Sequence, residues 1–136
     1  MTKRMALAVV TGMGLLAGPA FAGEAEVFDV GKALSGAGQG RSAVSLPLVK
    51  APEYTVNAVA VRDEIPMHRH EDGRHVLYIV SGRGTATFDG KPVALKPGIV
   101  LHIPKGISHS IKAEGGRLTF VDFVQHPFDP SQTEKK

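Results

Sequence analysis

Three of the six histidines in this 136-residue chain crowd into one segment, His68-x-His70-x4-His75, and His109 closes another, Pro104-Lys105-Gly106-Ile107-Ser108-His109. Neutral imidazole is the commonest side-chain ligand for transition metals. One histidine taken alone is more often a hydrogen-bonded core residue than a ligand. Four at ligand spacings, in two segments that each follow turn chemistry, point instead to a single metal cage built from His68, His70, His75 and His109.

The elements that must position these side chains are short β-like runs: residues 44–50, 54–62, 75–80, 85–88, 93–95, 99–103, 108–112 and 117–124. Turn chemistry separates them at Asp63-Glu64, Ser81-Gly82, Asp89-Gly90, Pro97-Gly98 and Gly115-Gly116, and Asp-Gly is a strong hairpin signal. No stretch after residue 23 sustains a helical period for three turns. Many short strands at regular spacing predict an all-β antiparallel sandwich or barrel. Residues 31–42, with Gly36, Gly38 and Gly40, read as a loop, and the polar end of the chain as a frayed tail.

Strand alternation assigns faces. His68 and His70 are two apart and point the same way in an extended segment, which sends Glu71 to the other side and places Glu64 outside the cavity as well. His75 shares its face with Leu77 and Ile79, and His109 with Ile111 and Ala113, so both face inward. Tyr78 falls opposite His75, toward an outer or subunit contact. Asp122, between Val121 and Phe123, is a candidate only for orienting a ligand from behind. His102 alternates with Leu101 and Ile103, and alternation alone leaves its face open. His126, beside Pro127, reads as solvated. Neither His102 nor His126 is assigned as a ligand, and no catalytic acid or base can be named.

The ends and composition set the setting. Lys3 and Arg4 precede an apolar stretch over residues 5–16, then Gly18-Pro19 and Ala20-Phe21-Ala22. This is the pattern of an export signal cleaved after Ala22, shorter than the ~18–20 apolar residues that span a bilayer. It places the mature chain in the periplasm or outside the cell, without stable membrane insertion. Losing Lys3 and Arg4 takes the 16 basic residues to 14, against 13 acidic. That near-balance, with no basic cluster among aromatics, argues against nucleic acid as a partner. There are no cysteines, so disulfides, thiolate ligands and a cysteine nucleophile are excluded. The layout expected is a signal over 1–22, an arm and glycine-rich loop over 23–43, a barrel over 44–124 and a tail over 125–136.

Residues 44–124 resemble a cupin. Its first motif is similar to Pro66-Met67-His68-Arg69-His70-Glu71-Asp72-Gly73-Arg74-His75 and onward through Gly82, its second to residues 97–109, with Asp89-Gly90-Lys91 as the hairpin between. The resemblance implies a single double-stranded β-helix barrel of antiparallel strands, a small-molecule ligand or substrate, and a homodimer. It also implies a divalent metal held by two early histidines, a glutamate and a late histidine, a role that carries over to His68, His70 and His109. Three positions depart from the pattern: Arg62 replaces an opening glycine, Ala113 a common asparagine, and His75 the glutamate ligand. Arg74, one residue earlier, excludes rescue by a shorter spacing.

Four neutral ligands leave a divalent ion with its full charge, a site that favours an anionic or bidentate oxygen ligand. The ion expected is a single divalent transition metal, Fe, Cu, Zn, Ni or Mn; imidazole suits several of these and intrinsic affinity peaks at Cu. Protons compete for the same nitrogens near pH ~6.5. Cupins with histidine-rich sites resemble dioxygenases, which makes a metal-dependent enzyme the leading expectation. The alternative is a non-catalytic barrel that binds a metal or a small ligand in the periplasm.

Overall fold

The computed structural model describes residues 23–71 and 73–126. The export signal expected over 1–22 and the tail beyond residue 126 lie outside the described residues. The chain divides into two compact units, the first ending at Ser35 and the second beginning at Gly36. In the first, the expected loop instead starts with one helical turn, α1 (Val30–Ala33). Asp29 is the reason: its carboxylate accepts from the Lys32 N–H at 3.0 Å and caps the turn.

The second unit is all-β, as its patterning predicts. Its strands are β1 (Ala43–Lys50), β2 (Tyr54–Val61), β3 (Glu64–His68), β4 (Arg74–Phe88), β5 (Lys91–Leu95), β6 (Val100–Ile103) and β7 (His109–Gln125), and every pairing between them is antiparallel. The long strands β4 and β7 pair along most of their length and belong to two layers. The first half of β4 and the second half of β7 are flanked by β6 and by β2 with β1. The other halves are flanked by β5 and β3. Side chains from both layers, among them Val61, Ile79 and Leu118 from one and Ala86, Leu95 and Ile111 from the other, form one apolar core. Burying a branched side chain of this size contributes roughly 1.5–3 kcal/mol.

The expected turns at Ser81-Gly82 and Gly115-Gly116 are not chain reversals. The β4–β7 register shifts between Ile79 and Ser81 and again between Ser81 and Arg83, while the chain stays extended. These are bulges: the first inserts one extra residue on β4 and the second three on β7, and such odd offsets change which alternate residues face inward. On β4 the buried set changes from His75, Leu77 and Ile79 to Gly84 and Ala86. On β7 it changes from His109 and Ile111 to Leu118 and Phe120. Glycine is what permits this. Gly82 has φ +87°, and a Cβ there would lie 2.2 Å from the Arg117 carbonyl oxygen. The eight expected runs thus become six strands, two of which turn the corner between layers, and β3, which was not among those runs, makes the seventh. Among the described residues, no helix is long and apolar enough to cross a membrane.

Candidate metal centre

Three of the four histidines lie on strands, His68 on β3, His75 on β4 and His109 on β7. β3 ends at His68, whose register partner on β7 is His109; a bulge at Pro66-Met67 separates this pair from Ile65–Ile111. Proline has no N–H for the ladder, so a bulge is where it is tolerated. His70 lies beyond the end of β3, so the extended segment expected through it stops two residues early. Its orientation comes instead from the turn before β7: the Gly106 N–H donates to the His70 carbonyl at 2.8 Å. His75 is the second residue of β4 and sits inward, 8% exposed, and His109 is 3% exposed.

The rings converge. His70 stacks on His75 with centroids 4.0 Å apart, His68 lies 4.3 Å from His109, and His68 meets His70 edge-on at 4.8 Å. Hydrogen bonds choose the nitrogen that each offers. His68 Nδ1 donates to the Pro66 carbonyl at 2.7 Å and His109 Nδ1 to the Ile107 carbonyl at 2.9 Å. His75 Nδ1 donates to Asp122, with both oxygens within reach at 2.9 and 3.0 Å. A carbonyl oxygen only accepts, so the proton of each neutral ring is on Nδ1 and the lone pair is on Nε2. His68 Nε2 lies 3.1 Å from His70 Nε2, and candidate ligand atoms of His68, His70 and His109 all fall within 4.8 Å of one another. That trio can hold a metal ion. His75 lies outside that trio; its ring stacks beside His70, and with Nδ1 engaged by Asp122 its free lone pair is on Nε2.

The electrostatics favour the neutral form that a metal requires. Burial lowers the His70 pKa to about 4, helped by the charges His75, His68 and His109 would carry and opposed by Asp122. Burial also lowers that of His109, against the opposing Ile107 carbonyl. For these two rings, proton competition therefore begins below the ordinary histidine range. The same shifts bear on stability. Between the unfolded value of 6.5 and about 4, the unfolded chain takes up a proton at His70 that the folded protein refuses. The metal-free protein is therefore expected to lose stability on acidification through that window, with no contribution from His70 above it. Urea unfolding in the presence of chelator at pH 7, 5.5 and 4 reads this directly, and a rise in stability toward pH 4 would contradict it.

Of the residues considered from sequence, Glu64 and Glu71 are exposed, and Glu71 pairs with Arg69 at 2.6 Å on the surface. Tyr78 points outward, 46% exposed. The face of His102 is now decided: Leu101 and Ile103 are buried and His102 is exposed. His126, expected to be solvated, is half-buried, and its Nε2 lies 3.5 Å from Thr55 Oγ1. Asn57 was not singled out. It is the register partner of Asp122, and alternation with the buried Val59 and Val61 places it on the inner face. The same alternation could have found it.

Residues 56–124 match the cupin domain family, Cupin_2. The chain is similar in structure to KdgF from Halomonas sp., with a TM-score of 0.60 and 20% identity over 66% of this chain and 84% of that one. An uncharacterized Klebsiella pneumoniae protein with a double-stranded β-helix domain aligns with a TM-score of 0.67 and 20% identity, over 76% and 91%. A cupin-2 domain protein from Shewanella frigidimarina aligns with 0.55 and 21%, over 62% and 80%. At these identities the likeness is one of fold, the double-stranded β-helix barrel. No curated protein matches the chain.

Proposed function

The chain belongs to the cupin family, and from that premise we propose that it is an exported, metal-dependent cupin with dioxygenase-like activity on a small anionic or oxygen-bidentate substrate. The observation that carries the metal is the placement of nitrogens: three histidines within 4.8 Å, with Nδ1 of His68 and His109 held on carbonyl oxygens. A donor set of neutral imidazoles suits a divalent transition ion. In this reading His68, His70 and His109 hold the ion, and His75, stacked beside His70, completes the cage through its free Nε2. When bound, the ion supplies Lewis-acid polarisation and orients the substrate. Ile65, Ile107 and Phe88, half-buried against the core, add apolar side chains to the layer that carries His109, with the Phe88 ring 6.3 Å from that of His109. The export pattern in residues 1–22 supports a periplasmic or secreted location.

A second reading has its own support. Apart from Asp122, every acidic side chain among the described residues is exposed, and Asp122 is engaged by His75. A barrel without a free inner carboxylate is suited to hold a metal or small ligand without reacting it. One experiment separates the two. Protein reconstituted with Fe, Cu, Ni, Mn or Zn is offered enolate, thiol and phenol substrates while oxygen uptake is followed. The enzyme reading expects uptake with at least one metal form. Inertness of every form across the panel leaves the binding barrel.

A further inference from the structure

The Nδ1 of His75 rests on a carboxylate, whereas those of His68 and His109 rest on backbone carbonyls. The side chains of His75 and Asp122 are only 10% and 15% exposed. Across the strands, the register partners of Asp122 are Asn57 on β2 and Leu77 on β4, neither of which carries charge. A neutral imidazole N–H gives the carboxylate a hydrogen bond but does not offset its charge, and burying an uncompensated charge is costly. A cation held among the imidazoles would supply the missing charge.

We propose that Asp122 is the counter-charge of the metal centre, held one imidazole away from the ion, and that it sets the preference of the cage for divalent over monovalent ions. The inference rests on the metal-binding reading above and deepens it. It also revises the charge expected from sequence: four neutral ligands alone leave a dication uncompensated, but with Asp122 behind His75 the buried cluster holds one negative charge. Coulomb attraction scales with the charge of the ion. Asp122 therefore acts about twice as strongly, in free energy, on a divalent ion as on a monovalent one.

The test is Asp122→Asn, which removes the charge while keeping one oxygen to accept from His75 Nδ1, the other becoming an amide NH2. Zn(II) and Ag(I) binding to the metal-free protein are measured by competition titration. Outer partners of ligating histidines typically tune metal affinity by about 10–100-fold. The expected result is a Zn(II) loss in that range with an Ag(I) loss near its square root. Asp122→Glu retains the charge and is expected to keep the wild-type preference between the two ions. If Asp122 only orients the ring, Asp122→Asn leaves both affinities unchanged, or lowers both by the same factor, and the inference is overturned. Should wild-type protein bind neither ion, the metal-binding reading fails first and takes the inference with it.

Discussion

The double variant His70→Ala/His109→Ala is expected to fold normally and to lose its metal. Wild-type protein, loaded with Zn(II) and dialysed, should carry close to one ion per chain; the variant should carry almost none. The reason is geometric. The ligand atoms of His68, His70 and His109 are the ones gathered within 4.8 Å, and the substitutions leave one of the three. The fold should survive because the cage is not what holds the layers together. His70 lies in the segment after β3, and the core runs through Ile79, Leu95, Ile103 and Leu118. His109 is buried, and its loss costs a hydrogen bond to Ile107, on the order of 1 kcal/mol, plus some packing. Thermal unfolding adds a second readout. At a free ion concentration 100 times Kd, binding stabilises the wild type by about 2.7 kcal/mol, and the variant should show no such response. Metal content unchanged in the variant would place the ion elsewhere and remove the basis of the proposed function.

Gly82→Ala is expected to have the largest effect on stability of any single methyl addition discussed here, more than about 3 kcal/mol. Two penalties coincide. An alanine at φ +87° costs roughly 1–2 kcal/mol by itself. The new Cβ would also lie 2.2 Å from the Arg117 carbonyl oxygen and 2.9 Å from the Leu118 Cα, both backbone atoms of the paired strand. The strand cannot retreat without breaking the ladder that joins the two layers. Gly90→Ala is the matched control: its φ is +85°, but nothing lies within 4 Å of the added carbon, so only the conformational cost remains. Urea unfolding of both variants isolates the clash. Equal losses in the two would mean that the bulge accommodates a side chain and does not fix the register.

The bulge matters beyond stability because it decides which residues face the histidines. On β7, inward positions are odd-numbered through Ala113 and even-numbered from Leu118, and this is what puts Asp122 on the inner face beside Phe120 and Val124. Without the shift at Gly115-Gly116, the face opposite Asp122 would turn inward and Val121 and Phe123 would meet His75. Sequence reading recognised these glycines as punctuation. The pattern predicts strand ends there, because the local signal for a turn and for a bulge is the same residue with the same backbone freedom. What tells them apart is whether the flanking runs pair with the same partner strand, and that is a long-range property.

Alternation within an uninterrupted strand was readable from residues alone. Leu77 and Ile79 declared the inward face of His75, Ile111 that of His109, and the two long strands obey both. His102 was undecided because both of its faces had an apolar claim; pairing of β6 with β4, Leu101 opposite Leu77 and Ile103 opposite His75, decides it. His70 came to the site by another route than the one expected. It lies beyond the end of β3, and the Gly106 hydrogen bond anchors it in place of a strand ladder.

By itself, then, the sequence determined the β class, the identity of the histidines and the inward direction of those on regular strands. These follow from side-chain type and a period of two, which are local. Only the tertiary structure decided that Asp122 stands behind His75, that His68 and His109 are register partners, and that three imidazoles present nitrogens to a common point. Those depend on register between strands distant in sequence. Register is set by bulges whose odd-numbered offsets reverse the faces that follow.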